Sequence, residues 1–305
     1  MNDFGMDTRW ASTEIGKDYW IAVGGQVGEI RGYKNAGRYE VDDFVGYNES
    51  TKSWTLKPGV IESSYAVGDI RPGTMKIAST TQHWDEAQGV WVWNSTGQTT
   101  DADGNTATGK ISDDDNTIIG NVNPDFTGGF GLNIRAYGFD LAANFNFSVG
   151  NDIYNANKIE YTSTSKYSYR NMITDMADGK RWTNLNDDGT LCNNLEQLKA
   201  MNASTTMWSP YMSRFVLTDW AIEDGSFLRL NTLTLGYTLP ASLTKKAHIS
   251  SLRFYATAYN VFTLTNYSGF DPESDCIRRN ALTPGVDYSG YPRSRQFVFG
   301  LNLNF

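Results

Sequence analysis

The chain has 305 residues, with 26 Lys and Arg against 34 Asp and Glu, so its formal net charge is −8. This acidic balance excludes general nucleic-acid binding, because phosphate contacts need clustered basic side chains. Aromatic residues make up 13% of the chain, and its 2 histidines are too few for a multi-histidine metal site. The longest apolar run, residues 19–23, is far shorter than the roughly 20 residues that a membrane helix needs.

Apolar and polar residues alternate with period two in several segments, which is the pattern of strands with one apolar face. Two weak strand candidates come first, at 19–31 and 37–46. The clearest alternation covers 126–137 and 139–149 on either side of the turn Tyr137-Gly138, and it predicts a hairpin of two strands of about eleven residues.

Three further strands are predicted at 227–239, 252–262 and 297–305, whereas helical patterning is limited to short pieces, mainly 193–201. In the first of these strands, Leu228 and Leu230 have the opposite parity to Leu233 and Leu235. A β-bulge between the two pairs would explain the change.

Strand length and connection length together favour a transmembrane barrel. Strands in soluble sheets average about 5–6 residues, whereas membrane-spanning strands need about 9–11. If the carboxyl end lies on the periplasmic side, the short connections at 32–36, 137–138 and 240–250 all fall there. The long connections at 47–125, 150–225 and 263–293 then all fall outside the cell, as in outer-membrane barrels.

Several motifs resemble the C-terminal part of the SusC/RagA family of TonB-dependent outer-membrane transporters. The main block runs from Trp220-Ala221-Ile222-Glu223-Asp224-Gly225-Ser226-Phe227-Leu228-Arg229-Leu230 to Leu235-Gly236-Tyr237-Thr238-Leu239-Pro240. Further blocks occur in the same order as in the family. They are Gly68-Asp69-Ile70-Arg71-Pro72-Gly73, Pro124-Asp125-Phe126, Gly150-Asn151-Asp152-Ile153-Tyr154, Asn260-Val261-Phe262-Thr263 and Gly269-Phe270-Asp271-Pro272-Glu273.

The resemblance implies an all-β fold: about 7–8 C-terminal antiparallel strands of a plugged barrel of the 22-strand class, with long extracellular loops. Residues 1–305 would then be a partial barrel domain, without the plug, the TonB-contacting segment or a signal peptide. The implied function is import of a bulky nutrient, a glycan or a peptide, as a multi-pass protein of a Gram-negative outer membrane.

The implied partners are a SusD-like lipoprotein, outer-membrane lipid and the outer-membrane assembly machinery. The TonB complex would be reached only through the missing N-terminal part. The resemblance also points to an assembly signal in the final strand, formed by Phe297, Phe299, Gly300, Leu301, Leu303 and Phe305. A last lipid-facing strand would show the same alternation for purely structural reasons.

Other candidate residues have ordinary alternatives. Asp101, Asp103 and Asn105 could begin a calcium loop, but Thr106 and Ser112 stand where an EF-hand needs Gly and Glu, which favours a solvated acidic loop and no cofactor. Trp182 and Trp208, in long loops, could stack on a sugar or simply anchor those loops. Cys192 and Cys276 both fall in loops predicted to be external, which permits a disulfide.

No catalytic motif is found, so an enzyme is not expected. Two alternatives to a transporter remain open: a soluble glycan-binding β-sandwich, and a surface protein that transports nothing. The first would bury the apolar strand faces between two sheets, whereas a barrel would expose them to lipid.

Overall fold

The fold is seen in a computed structural model that describes residues 8–10, 18–21, 24–164, 169–212, 214, 216–276 and 282–305. The strands in chain order are β1 (Thr8–Trp10), β2 (Tyr19–Ile21), β3 (Glu29–Gly32), β4 (Lys34–Arg38), β5 (Phe44–Asn48), β6 (Ser53–Leu56), β7 (Met75–Ala78), β8 (Gln82–Asp85), β9 (Val90–Trp93), β10 (Thr117–Asn121), β11 (Phe126–Ala136), β12 (Phe139–Val149), β13 (Asp152–Asn155), β14 (Ile222–Asp224), β15 (Phe227–Thr238), β16 (Ser251–Thr265), β17 (Val286–Asp287) and β18 (Gln296–Asn304).

The α-helices are short, at α1 (Ser64–Val67), α2 (Ala156–Glu160), α3 (Leu195–Met201) and α4 (Ala241–Thr244). Single 3₁₀ turns occur at Val41–Asp43, Asp113–Asp115, Thr174–Met176, Asp219–Ala221 and Lys245–Ala247. Within the described residues, no helix has the length and apolar character needed to cross a membrane. The fold is therefore mainly strands, as predicted.

The chain divides into two compact units. The first, called the loop unit, comprises Met1–Gly120, Tyr154–Ile222 and Ile277–Tyr288. The second, called the sheet unit, comprises Asn121–Ile153, Glu223–Cys276 and Ser289–Phe305.

The sheet unit is built on one antiparallel sheet with the strand order β11-β12-β15-β16-β18. The predicted hairpin is confirmed, since β11 and β12 pair along their whole length from Phe126 opposite Val149 to Ala136 opposite Phe139. Tyr137 and Gly138 make the turn with φ of +52° and +88°, the left-handed conformation that tight two-residue hairpin turns require. The strands predicted at 227–239, 252–262 and 297–305 are confirmed too, and the second is longer than predicted.

The loop unit consists of short strands around its own apolar core. A four-stranded sheet has the order β1-β2-β3-β10, and separate pairs are formed by β4 with β7, β5 with β6 and β8 with β9. The main core cluster joins residues distant in sequence: Tyr33, Ile61, Ala66, Val67, Met75, Ile77, Ile111, Met176, Met207, Trp208 and Met212. Much of 47–125 and 150–225, predicted as long loops, is therefore folded structure.

The prediction of one strand over 37–46 is wrong. Strand β4 ends at Arg38, a 3₁₀ turn covers Val41–Asp43, and β5 begins at Phe44. The turn forms because the Asp43 carboxylate accepts a hydrogen bond of 2.9 Å from the backbone N–H of Glu40, a local bond that competes with strand pairing. The 19–31 candidate is likewise divided, into β2 and β3, and its residues 22–23 lie outside the described part. The predicted helix near 193–201 is confirmed as α3, with the Asn194 side chain accepting from the Gln197 N–H.

Candidate functional site

One face of the five-stranded sheet, called the apolar face, carries large hydrophobic side chains from every strand. Its exposed members are Phe126, Phe130, Leu132, Ile134, Phe139, Leu235, Phe254, Phe262, Leu264, Phe297, Phe299, Leu301 and Leu303. Phe130 is 52% exposed and Phe299 is 78% exposed, so these rings are not packed between two sheets as the β-sandwich alternative requires. A continuous exposed apolar surface of this kind needs a solvent or partner other than water.

Two irregularities keep this face apolar along its whole length. Phe145 pairs with Leu230 but Asn144 pairs with Thr232, so Asn231 is an extra residue in β15. Opposite it, Leu230 pairs with Phe262 and Thr232 with Tyr259, which leaves an extra residue in β16. The predicted bulge is thus confirmed: because it reverses the parity, all four leucines from Leu228 to Leu235 point to the same side.

The opposite face, called the polar face, carries the intervening residues. They include Thr127, Asn133, Arg135, Asp140, Asn144, Asn146, Ser148, Arg229, Thr232, Thr234, Thr257, Thr263, Asn302 and Asn304. Long antiparallel strands that carry apolar side chains on one face and polar side chains on the other form the walls of transmembrane β-barrels.

A network of four charges lies at one end of the polar face. Arg229, only 2% exposed, places Nη2 2.5 Å from Asp271 Oδ1 and Nε 3.1 Å from Glu273 Oε2. Arg293 contacts the same two carboxylates at 3.1 and 3.0 Å. Asn260, at the bulge of β16, accepts a bond of 3.1 Å from Arg229. Since two cations meet two anions, the buried charge is neutralised, and the Gly269–Glu273 motif is fastened to β15.

The loop unit contains an open cleft of about 630 Å³, within the range of small-ligand sites. One wall is the β5–β6 hairpin, where the rings of Tyr47 and Trp54 lie 5.2 Å apart. The other walls are the motif that contains Asp69 and Arg71, and the turn that contains Asn184 and Asn193. The cleft thus combines two aromatic rings with amide and charged groups.

The charges of this cleft are partly paired. Glu62 is bonded to Ser64 and forms an ion pair of 2.9 Å with Lys110. Partial burial acts against ionisation of Glu62, but the hydrogen bonds from Ser64 and Lys110 outweigh it and lower the pKa of this carboxyl below its ordinary value. Lys52 at the rim is paired with Glu49 at 2.7 Å. The charged side chains that line the cleft are two cations and two anions, Lys52, Arg71, Glu62 and Asp69, so their formal charges cancel.

The tryptophans predicted to contact a ligand are core residues of the loop unit. Trp182 is 2% exposed and Trp208 is 4% exposed. A Cβ at Gly73 would lie 2.2 Å from the Trp182 ring, and Arg38 covers that ring at 4.6 Å. Because both indoles are buried, neither has a free face on which a sugar could stack. The sequence did not indicate this burial, since the core of the loop unit is formed by residues that are far apart in the chain. Trp54, which no motif singles out, lines the cleft instead. Its only local signal is the alternation of polar and apolar residues in Ser53-Trp54-Thr55-Leu56.

The acidic loop is closed by its own side chains. Asp101 Oδ1 accepts from the N–H groups of Asp103 and Asn105 at 3.0 and 2.7 Å, and its Oδ2 accepts from the Asn105 side chain. These bonds, that of the Asn105 side chain first, lower the pKa of Asp101. Across the part of the chain that the structure describes, no group of three or more His, Cys, Asp or Glu could hold a metal ion.

The two cysteines are not joined. Cys192 is a buried free thiol and Cys276 an exposed one, so the permitted disulfide is absent from this structure. The six residues of the predicted assembly signal occupy β18 and the residue after it, and Phe297, Phe299, Leu301 and Leu303 share the apolar face. Gly300 is the member on the polar face.

Known proteins are similar to this chain in sequence and in fold. The chain is 34% identical over 209 residues to TonB-dependent receptor P3 of Formosa agariphila, an alignment of 67% of this chain and 18% of that protein. It is 30% identical over 148 residues to TonB-dependent receptor SusC of Bacteroides thetaiotaomicron, covering 47% and 13%. The RagAB peptide importer in its open-open state covers the whole chain at a TM-score of 0.55 and 21% identity, matching 25% of that protein and showing the shared fold. No protein-family model matches.

The chain belongs to the SusC/RagA-like TonB-dependent receptors. It spans less than a fifth of the length of the curated relatives that it matches.

Proposed function

We propose that the chain forms the C-terminal part of the barrel wall of an outer-membrane TonB-dependent transporter that imports a bulky nutrient. The observation that carries this proposal is the exposed apolar face opposite a polar face on the same sheet. Strand β11 has 11 residues, so at about 3.3 Å per residue and a tilt of about 40° it covers about 28 Å along the membrane normal. This matches the apolar band of about 25 Å on such barrels.

A sheet of five long strands is too small to close a plugged barrel, since that class has 22 strands. The remaining strands, the plug and the TonB-contacting segment would come from other parts of the receptor. A SusD-like lipoprotein would cover its extracellular mouth, and the strand from Phe297 to Phe305 would be read by the assembly machinery. The support for these partners is membership of the family.

The placement is tested by fractionating the native bacterium after tagging the gene at its own locus. The receptor is expected in the outer membrane, resistant to extraction by alkaline carbonate and released only by detergent. Recovery as a monomer in the aqueous fraction would reject the proposal and restore the β-sandwich alternative.

The cleft of the loop unit is the proposed contact for the nutrient, because the Tyr47 and Trp54 rings can pack on apolar C–H groups while Arg71 and Asn184 offer polar atoms. Trp54→Ala should lower uptake without lowering the amount of receptor in the membrane. Tyr65→Ala is the matched control, since Tyr65 is 55% exposed and does not line the cleft.

The nutrient class is decided by growth of the wild type and the Trp54→Ala strain on single glycans and on defined peptides as sole carbon source. Equal growth of the two strains on every nutrient that requires the receptor would remove the cleft from the uptake path.

A further inference from the structure

The apolar pattern of β18 does not determine how this strand pairs with β16. Phe297, Phe299, Leu301, Leu303 and Phe305 follow one another at every second position. A slip of two residues along β16 would leave every one of them on the apolar face, so hydrophobic burial scarcely distinguishes the two registers. Some other interaction must select the observed pairing, in which Tyr255 faces Gly300 and Tyr259 faces Gln296.

The polar face contains a row of directly paired residues across the sheet. Asp140 of β12 faces Gly236 of β15, Gly236 faces Tyr255 of β16, and Tyr255 faces Gly300 of β18. A glycine therefore stands on each side of the single aromatic residue in this row.

Gly300 leaves the space that the Tyr255 ring occupies. A Cβ at Gly300 would lie 2.4 Å from both Cζ and Oη of that ring, a distance that no real contact allows. After a slip of two residues, the ring would meet Val298 or Asn302 instead of a glycine. The observed register is thus the one in which β18 presents a notch to the ring.

Gly236 leaves a second space, which holds an ion pair. Arg253 Nε lies 2.9 Å from Asp140 Oδ1, and Nη2 lies 2.5 Å from Oδ2. A Cβ at Gly236 would lie 2.4 Å from the Arg253 guanidinium and 2.5 Å from Asp140. The same guanidinium lies 5.2 Å from the centre of the Tyr255 ring, and so holds the ring in the direction of β18.

We propose that Tyr255, held by the Asp140–Arg253 pair above Gly236, and the notch at Gly300 form a register lock that selects the pairing of β18 with β16. Gly300 then acts through its fit to Tyr255, in addition to any recognition of the final strand during assembly. The lock depends on β18 being part of the barrel wall, as proposed above, but not on transport.

The test is cysteine cross-linking in the full receptor in its own membrane, read by mass spectrometry of the linked peptides. Tyr259→Cys with Gln296→Cys reports the observed register, and Tyr259→Cys with Val298→Cys reports the register slipped by two residues. Paired Cα atoms of neighbouring strands lie within the distance that a disulfide spans. In the otherwise unchanged receptor, the first pair is expected to link and the second to remain largely unlinked.

Gly300→Val is expected to lower the ratio of observed to slipped cross-link by about tenfold, the size usual for overpacking of this kind. Valine favours strands, so the change cannot be attributed to strand propensity. Asn302→Val, on the same strand and face, is the control and should leave the ratio unchanged.

Tyr255→Ala alone removes the ring and should lower the ratio as Gly300→Val does, and adding Gly300→Val to it should lower the ratio no further, because both changes break the same fit. If Gly300 acts only as a recognition signal, or only through its backbone, the two changes will lower the ratio independently, and the lock is rejected. An unchanged ratio in Gly300→Val rejects it as well. Failure of uptake with normal cross-linking would count against the proposed transport and leave the lock intact.

Discussion

Because Arg229 is the buried cation of the four-charge network, its removal should lower the stability of the sheet unit strongly. In Arg229→Met, a side chain of similar length keeps much of the packing but removes the guanidinium bonded to Asp271 and Asn260 and placed 3.1 Å from Glu273. Breaking a buried pair by removing one partner usually costs about 3–5 kcal/mol. Since Arg293 still contacts both carboxylates, we expect the lower end, about 3 kcal/mol of unfolding free energy.

The assay is urea unfolding of the purified full receptor in lipid vesicles, followed by tryptophan fluorescence. Lys52→Met is the control, because the exposed ion pair of Lys52 with Glu49 should contribute nothing measurable. Asp271→Asn alone and together with Arg229→Met completes a double-mutant cycle. The double variant should lose less than the two single variants combined, since it leaves fewer unpaired charges. Additive losses, or a loss no larger than that of the control, would refute a coupled network.

Three further outcomes are expected. Phe130→Arg places a charge on the apolar face, beside the ring of Phe145, whose centre lies 4.6 Å from that of Phe130. The charge should lower the stability of the receptor by about 2–4 kcal/mol if it lies near the membrane midplane. The amount of receptor recovered from the outer membrane should therefore fall, whereas Asn133→Arg on the polar face should leave that amount unchanged. Asp115→Ala removes a fully buried carboxylate that accepts hydrogen bonds from Ser79, Thr80, Thr81 and Ser112. Because these donors lose their partner, the loop unit should be less stable and trypsin should cut it faster. Cleavage at the wild-type rate would contradict this. Burial raises the pKa of Tyr39 from 10.0 to about 12. The stability tied to its neutral phenol is therefore present below pH 10 and is lost as the pH rises to 12. In an ultraviolet titration, the Tyr39→Phe variant should show one tyrosine fewer among those that ionise late, and an unchanged titration would contradict the assignment.

The sequence by itself determined the sheet unit closely. The alternation in 126–137 and 139–149 gave the hairpin, because a strand with one apolar face has an unambiguous period of two and the turn at Tyr137-Gly138 fixes its register. Even the parity change between Leu230 and Leu233 was readable as a bulge. Membership of the family followed from motifs in a fixed order.

The loop unit was decided only by tertiary structure. Its core brings Tyr33, Met75, Met176 and Met212 together from distant parts of the chain, so no local period marks those residues as buried. For the same reason Trp182 and Trp208 could be expected to be exposed but are buried, while Trp54 lines the cleft. The pairing of β18 is a similar case: alternation assigned each side chain to a face, but a shift of two residues preserves that assignment, and only the fit of the Tyr255 ring over Gly300 distinguishes one register from the next.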